Sequence, residues 1–145
     1  MQPDAQTADR LAILEQIARY SYAWDDRDLD AYVALFAEDA AFVVDPELPD
    51  GPTTNARGHE AIRAWAHERM DARKPGVQVR HHQSGTLFEE LDGDRARTRT
   101  MLLTSRVGPD GEPPSSGIYY DEWRRTPEGW RFASRTLRHD FPGMF

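Results

Sequence analysis

The first part of the chain repeats its apolar residues with the spacing of an α-helix. Between positions 11 and 24 they recur every three or four residues, which predicts an amphipathic helix that ends near Asp25. Thr7 or Asp9 can start this helix, because either side chain can accept a hydrogen bond from the backbone of the first turn. Residues 1–6 are expected to form a frayed tail.

Two more helices and a short strand follow before the pattern changes. Asp28 can cap a second helix, whose apolar positions are Leu29, Tyr32, Val33 and Phe36. Residues 40–45 are rich in β-forming side chains and predict a strand. The prolines between Pro46 and Arg57 predict a loop, and the apolar positions of residues 58–70 predict a third amphipathic helix.

The second half of the chain predicts a meander of antiparallel strands. Turn signals occur at Asp92-Gly93 and at residues 127–129. The predicted strands are 77–91, 96–107, 118–125 and 130–139, with a flexible loop at 108–117. Three helices before a long antiparallel sheet indicate an α+β fold in one domain, residues 1–145. We expect a strongly curved sheet wrapped around the helices, with a pocket between the two layers.

Composition narrows the class of protein and its partners. The chain has 145 residues, of which 39% are hydrophobic and 30% charged, and its formal net charge is −7. This balance indicates a globular protein, and the negative charge argues against nucleic acid or an anionic membrane as a partner. The sequence lacks a membrane-spanning apolar run and the features of a signal peptide, so we expect a cytoplasmic protein.

The residue types exclude several kinds of chemistry. The chain has no cysteine, which removes disulfides, thiolate metal sites and cysteine nucleophiles. Lys74 is the single lysine, which leaves little scope for Schiff-base catalysis. No HxH, HExxH, CxxC, phosphate-loop or GxSxG pattern occurs, so we expect neither a metal ion nor a cofactor.

The densest group of reactive side chains lies between Arg19 and Asp30. Two tyrosines, a tryptophan and two adjacent aspartates occur here, at the predicted end of the first helix. A tyrosine can hydrogen-bond to an oxyanion, and a carboxylate can orient a base. The same residue types also suit a helix end and a helix cap. Either Asp25 or Asp26 could be the functional acid, since spacing alone does not choose.

Two adjacent histidines occur on the first long predicted strand. His81 and His82 point to opposite faces of the sheet, because side chains alternate along a strand. His81 shares its face with Val77 and Val79, so we expect it to face the interior. An imidazole in an apolar cavity beside a carboxylate is a suitable general base near neutral pH.

Four stretches of the chain, in order, resemble the SnoaL-like branch of the nuclear transport factor 2-like superfamily. Residues 19–42 are similar to that family's first two helices and first strand, and residues 58–65 to its third helix. Residues 80–100 resemble its central hairpin, and residues 117–138 its last hairpin. The resemblance covers nearly the whole chain and implies a cone-shaped α+β barrel, a fold that serves both enzymes and non-enzymes.

Bile-acid and scytalone dehydratases are the most informative relatives within that family. Resemblance to them implies that Asp25 is the functional acid, that Tyr20 is a catalytic tyrosine, and that His81 is the catalytic histidine. The chain departs from these enzymes at two positions. Trp24 stands where scytalone dehydratase has a tyrosine, and Thr104 stands where another polar catalytic group is expected.

Helix geometry leaves the choice of tyrosine open. Five residues turn about 500° on an ideal helix, so Tyr20 and Asp25 converge only if the helix bends or ends near Trp24. Tyr22, three residues before Asp25, would suit an unbroken helix better. We keep Tyr20 as the first candidate and Tyr22 as the reserve, and we count Tyr22, Trp24 and Thr104 among the candidate substrate-binding residues.

The last two predicted strands offer further polar candidates. The last strand carries Arg135, Arg138 and His139. By strict alternation Arg138 shares a face with Trp130 and Phe132, so it could bind a substrate oxygen at the mouth of the cavity. Asp121, between two aromatic residues of its strand face, could be a second acid in the pocket or an ordinary outward residue.

These observations predict a cofactor-independent lyase or isomerase, dehydratase-like, acting on a hydrophobic cyclic molecule. His81 would take a proton next to a carbonyl, Asp25 would orient His81, and Tyr20 would stabilise the oxyanion. One alternative is a non-catalytic protein that binds a small apolar ligand. The other is the small subunit of an aromatic-ring-hydroxylating dioxygenase.

We also expect a homodimer, formed through the outer face of the sheet. Two rows of side chains could line that face: Arg97, Arg99 and Met101, or Arg131, Ala133 and Arg135.

Overall fold

The computed structural model describes residues 4–48 and 54–142. The helices are α1 (Ala5–Asp25), α2 (Leu29–Ala34) and α3 (Gly58–Asp71). The strands are β1 (Phe36–Val44), β2 (Thr54–Arg57), β3 (Gln78–Asp92), β4 (Arg95–Val107), β5 (Ser115–Thr126) and β6 (Gly129–His139).

The six strands form one curved, unclosed sheet in the order β2-β1-β6-β5-β4-β3. All neighbouring pairs are antiparallel except β1 and β6, which run parallel. The helices pack on this sheet, so the α+β prediction is confirmed. None of the helices in the described part of the chain has the length and apolarity needed to cross a membrane.

The caps of the first two helices differ in how well the sequence predicts them. Asp4 caps α1 by accepting a hydrogen bond from the backbone N–H of Thr7 at 2.7 Å. The predicted start at Thr7 or Asp9 is therefore wrong, and so is the expected tail over residues 4–6, while residues 1–3 lie outside the described chain. Asp28 caps α2 by accepting from the N–H of Ala31 at 3.1 Å, as predicted.

The first strand is longer than predicted, and it has an unexpected partner. β1 begins at Phe36 instead of residue 40. β2 lies inside the segment predicted as a loop and pairs with β1 over residues 54–57. The short β2 escapes prediction because it follows a proline-rich stretch, of which residues 49–53 lie outside the described chain. Together β1 and β2 form one edge region of the sheet, opposite β3.

The core fills the space between α1 and the concave face of the sheet. It is unusually aromatic: Tyr20 lies within 6.5 Å, centroid to centroid, of four aromatic rings and of one imidazole. The four aromatic rings belong to Tyr32, Phe36, Tyr119 and Phe132. Such tilted and edge-to-face contacts stabilise beyond the burial of area alone.

A bulge in β6 reverses which residues face inward. Ser134 pairs with Glu122 and Phe132 with Trp123, so Ala133 is an extra residue without an opposite partner. Arg135 therefore faces inward with no exposed surface, and its predicted place on the outer face is wrong. Arg138 faces outward and binds Glu47 at 2.5 Å, with 44% of its side chain exposed.

The cap of α2 provides a stability prediction. Asp28→Ala removes the side-chain acceptor for the N–H of Ala31, so we expect the free energy of unfolding to fall by about 1 kcal/mol. Denaturant unfolding measures this change. Asp26→Ala is the matched control, because Asp26 lies at the surface beside Arg80 and should change stability by less than about 0.5 kcal/mol. Equal losses in the two variants would contradict the assigned cap.

Candidate active site

A cavity of about 350 Å³ opens between α1, α3 and the concave face of the sheet. This volume lies at the small end of pockets that hold small molecules. Its apolar walls are formed by aromatic and aliphatic side chains, among them Trp24, Phe42, Trp65, Val79 and Leu137. Polar side chains from all three parts of the wall, α1, α3 and the sheet, also line the cavity, and they determine its possible chemistry.

Asp25 and His81 form a close, nearly buried pair at this cavity. The Asp25 carboxylate accepts from the backbone N–H of His81 at 2.9 Å and contacts its Nδ1 at 2.6 Å. The side chains of Asp25 and His81 are only 3% and 10% exposed. With Nδ1 held by Asp25, Nε2 is the ring nitrogen left for a ligand, which is the arrangement of an oriented general base.

The alternation argument for His81 is confirmed by the placement of the two histidines. β3 is regular from Gln78 to Ser84, so His81 faces inward and lines the cavity. His82 faces the opposite side, where its Nε2 lies 3.1 Å from Ser105 Oγ in an exposed position.

The choice between Asp25 and Asp26 follows from where α1 ends. Asp25 is the last residue of α1, and its side chain is turned toward β3. Arg73 donates to the carbonyl oxygens of Asp25 at 2.8 Å and of Trp24 at 3.0 Å, which satisfies the end of the helix. Asp26 is more than half exposed and lies 3.6 Å from Arg80. Only Asp25 is therefore in a position to act on His81.

Tyr20 lines the cavity next to His81, with the two ring centroids 6.3 Å apart. Its hydroxyl oxygen lies 3.5 Å from that of Tyr32 and 3.4 Å from that of Tyr119. Tyr20 accepts in both contacts, so its own hydroxyl proton can be donated to a ligand oxygen. Burial raises the pKa of Tyr20 well above its usual value, so the phenol stays protonated and can donate.

Tyr22, the reserve tyrosine, does not reach this cavity. It is 68% exposed on the outer side of α1, so its candidate role as a substrate-binding residue is wrong on position. The angular objection to Tyr20 disappears because His81 lies between the two α1 residues. Tyr20 and Asp25 contact its ring from two sides, so they need not share one helix face.

A buried ion pair that sequence reasoning left unassigned lies beneath the tyrosines. Arg135 Nε donates to Asp121 at 2.9 Å, and both side chains are fully buried. The guanidinium carbon of Arg135 lies 3.6 Å from the ring centroid of Tyr119 and 4.1 Å from that of Tyr20. Arg135 also donates to Gln83 Oε1 at 2.6 Å. Asp121 is therefore neither a pocket acid nor an outward residue.

Burial and pairing oppose each other at Asp121. Burial raises the pKa of Asp121 to about 6, and the positive charge of Arg135 limits that rise. Arg135 also opposes the upward shift that burial causes in the pKa values of Tyr20 and Tyr119. The positive charge of Arg135 therefore makes the hydroxyl groups of the two tyrosines better donors than burial alone would allow.

Thr104 and Trp24 both line the cavity, as two walls beside His81. Thr104 is directly opposite His81 in the β3–β4 register, and its hydroxyl contacts the hydroxyl and backbone N–H of Ser115. Trp24 packs against His81 and Trp65, at ring distances of 6.2 and 5.3 Å. The indole Nε1 of Trp65 is a buried donor without a hydrogen-bond partner in the described chain.

Basic side chains line one end of the cavity, although the chain as a whole is acidic. Arg69, Arg73, Lys74 and Arg106 reach it, together with Glu112, which lies 3.3 Å from Lys74 and 3.6 Å from Arg106. Arg138 is not among the lining residues, so its expected role at the cavity mouth is wrong. The arginines that line the cavity come from α3, from the connection after it, and from β4.

A second aspartate–histidine pair also lines the cavity, at its opposite side in the sheet. The carboxylate of Asp45 accepts from the backbone N–H of His139 and contacts its Nδ1, both at 2.7 Å. Sequence reasoning listed His139 only as a polar residue and did not consider Asp45. Finding the pair requires knowing that the ends of β1 and β6 are neighbours in space.

Within residues 4–48 and 54–142, no three His, Cys, Asp or Glu side chains lie close enough together to hold a metal ion. The expectation that the protein uses neither a metal nor a cofactor stays a prediction.

Comparison with known families identifies the domain. The model of the SnoaL-like domain family matches residues 5–136. The chain belongs to this family. The resemblance of the four stretches of sequence is therefore confirmed, and the family assignment agrees with the fold.

Solved structures with this fold extend the comparison. The SnoaL-like domain is 31% identical to Rv3472 from Mycobacterium tuberculosis, described as a protein of unknown function, with a TM-score of 0.80 over 97% of this chain and 77% of that one. It is 29% identical to a protein of Novosphingobium aromaticivorans provisionally named an aromatic ring hydroxylase, with a TM-score of 0.78 over 98% and 94%. A provisionally named scytalone dehydratase from the same organism is 23% identical, with a TM-score of 0.79 over 95% and 88%, and shows the shared fold.

The buried ion pair of this SnoaL-like domain gives a second stability prediction. Arg135→Met or Asp121→Asn alone leaves one charge buried without its partner, so we expect each to lower the free energy of unfolding by about 3–5 kcal/mol. The double variant Arg135→Met with Asp121→Asn should lose clearly less than the sum. Denaturant unfolding of the four proteins measures the coupling. Additive losses would show that the two charges do not stabilise each other.

Proposed function

We propose that this protein is a cofactor-independent lyase or isomerase that acts on a hydrophobic cyclic molecule carrying a carbonyl group. The observation that supports this most is the Asp25–His81 pair at the cavity, with both hydrogen bonds of Asp25 directed to His81. A buried imidazole fixed at Nδ1 by a carboxylate presents Nε2 as a base.

The proposed chemistry uses three side chains in distinct roles. Nε2 of His81 takes a proton from the carbon next to the carbonyl, and the electron pair moves to the carbonyl oxygen. Asp25 holds the ring and stabilises the imidazolium that forms. The hydroxyl of Tyr20 donates to the enolate oxygen. Loss of a β-hydroxyl as water, or return of the proton at another carbon, then completes an elimination or an isomerisation.

The cavity walls indicate the kind of ligand. Aromatic rings such as Trp24 and Phe42 suit a flat or fused-ring apolar body. The basic residues at one end of the cavity suit oxygen substituents on that body. We therefore extend the proposed ligand from a purely hydrophobic molecule to a ring system that carries oxygen atoms.

A second candidate function is that of a small structural subunit in an aromatic-ring-hydroxylating dioxygenase. The similarity to the provisionally named aromatic ring hydroxylase favours it. Co-purification with a larger iron-containing chain would support this role. The third possibility, a protein that only binds a small ligand, is favoured by Thr104, whose hydroxyl already has its partners in Ser115.

A homodimer remains a proposal. The outer face of β3 and β4 exposes three large apolar side chains about half or more: Leu87, Met101 and Leu103. Burying such a patch against a second copy would remove it from water. Light scattering of the purified protein tests this directly.

Proton exchange tests the proposed base without knowledge of the natural substrate. In deuterated buffer, the wild-type protein should exchange the α-protons of at least one cyclic ketone in a series from cyclohexanone to decalone. His81→Asn should lower that exchange by about 10²–10⁴-fold, because the base at Nε2 is lost while the asparagine amide can still donate to Asp25. Mass spectrometry of the recovered ketone measures the exchange.

His82→Asn is the matched control, because His82 is the neighbouring histidine on the outer face of the strand. It should exchange at the wild-type rate. A folded His81→Asn protein that exchanges as fast as wild type would overturn the assignment of His81. Failure of the wild type to exchange any ketone of the series would overturn the proposed chemistry.

Tyr20→Phe tests the proposed oxyanion donor. Removing the hydroxyl keeps the ring that packs against four aromatic neighbours, so the protein should fold. Exchange should fall by about 10²–10³-fold, since one donor to the enolate oxygen is lost. Tyr22→Phe, which alters only an exposed residue, should leave the rate unchanged. Equal rates in Tyr20→Phe and wild type would show that Tyr20 has no such role.

A further inference from the structure

The Asp45–His139 pair repeats the geometry of the Asp25–His81 pair in detail. In both, one carboxylate accepts from the backbone N–H of the histidine and contacts its Nδ1, at 2.6–2.9 Å. In both, the two side chains are no more than 14% exposed. Both histidines line the same cavity. The cavity therefore has two imidazoles, each fixed by its own buried aspartate.

The side chain of Asp45 does more than join two strands, because it also fixes a histidine ring. Asp45 follows the end of β1 and adopts a left-handed backbone with φ of 45°. This conformation is costly for a residue other than glycine, although aspartate tolerates it better than most. Its N–H already donates to the carbonyl oxygen of Leu137 at 2.8 Å, so the strands are joined without the side chain. The bond to Nδ1 additionally fixes the imidazole of His139.

The two histidines lie on different walls of the cavity. His81 is on β3, at the sheet edge, and His139 is on β6, three strands away in the sheet order. Three strand spacings correspond to about 14 Å along the sheet, and curvature shortens the distance across the cavity. Between them, Thr104 on β4 and Ser115 on β5 continue the row along the cavity wall. The two imidazoles can therefore face one ligand from two walls of the cavity.

We propose that His139 is a second catalytic residue, the general acid that protonates the departing oxygen while His81 acts as the base. This inference rests on the proposed function. It adds a proton donor for the leaving oxygen, which the base His81 does not supply. A hydroxyl leaves readily only when it takes up a proton, and a second imidazole in its protonated form can provide it. The substrate class is then a cyclic β-hydroxy ketone, or a ring with an equivalent leaving oxygen.

The step balances with the groups named. His81 Nε2 gains the α-proton, the C–H electron pair forms the enolate, and Tyr20 donates to its oxygen. The enolate pair then forms the carbon–carbon double bond as the β C–O bond breaks, and the leaving oxygen takes a proton from His139. The products are a conjugated ketone and water. His81 ends protonated and His139 neutral, and exchange with solvent resets both.

Two reactions of related compounds separate the two histidines. Exchange of the α-protons of decalone needs only the base, whereas elimination of water from its β-hydroxy derivative needs the base and the acid. His139→Asn deletes the titratable ring, while its amide can still donate to Asp45. We expect elimination, followed by the absorbance of the conjugated ketone, to fall by about 10²–10⁴-fold. The ratio of exchange rate to elimination rate should rise by about the same factor.

His81→Asn provides the contrasting variant, because it should lower exchange and elimination together. His82→Asn provides the control, and it should leave both rates unchanged. If His139→Asn does not fold by circular dichroism, His139→Gln, whose amide reaches the position of Nε2, tests the same ratio. Either histidine variant is compared with wild type at equal folded concentration.

Each outcome has one meaning for the inference. A raised ratio in the folded His139 variant supports the acid role. An unchanged ratio overturns it, whether both rates stay high or both fall together, since the second result indicates a structural role for His139. In these two cases the proposed function stands. Absence of exchange in the wild type overturns the proposed function, and the acid role with it.

Discussion

The carboxylate of Asp25 is the constraint on which the cavity depends. The side chain is only 3% exposed, and its two oxygens contact the backbone N–H and the ring of His81, which joins the end of α1 to the edge strand β3. Arg73 binds the backbone of the same residue and so anchors the connection after α3 to the same point. Three elements therefore meet at one residue. A change there would move the helix, the strand and the imidazole together, because an unpaired buried carboxylate is not tolerated at low cost.

The centre of the domain shows a different use of buried charge. Arg135 lies among aromatic rings, paired with Asp121, and neither lines the cavity. An apolar pair of similar volume would often be as stable, so stability alone does not account for it. Arg135 also lowers the pKa values of Tyr20 and Tyr119 relative to burial alone, which favours donation from their hydroxyl groups. If the proposed function is correct, the ion pair supports the tyrosine hydroxyl groups as donors.

The sequence predicts regular elements well and irregular ones poorly. Alternation identifies His81 because β3 is regular around it, whereas the choice of Asp25 over Asp26 comes from the family resemblance and not from the helix pattern. Alternation fails at Arg135 because the bulge at Ala133 reverses the inward face, and no residue type marks that bulge. The fold class can be predicted from the order of elements alone. The partners of Asp45 and Asp121 cannot, because they depend on the bulge and on which strands become neighbours. Local pattern cannot supply that information, since it arises from tertiary pairing.

Two buried aspartate–histidine pairs and one buried ion pair in the described chain show how structural and chemical demands differ. A sheet packed on helices needs no charge in its interior, and each desolvated carboxylate must be offset by partners. Here the aspartate of one pair ends a helix and that of another follows a strand, yet both direct a histidine ring to the cavity wall. The Arg135–Asp121 pair lies beneath Tyr20, whose ring lies next to that of His81. Different local structures thus place their histidines at one cavity, which is the arrangement that the proposed chemistry requires and that the packing of any one element does not.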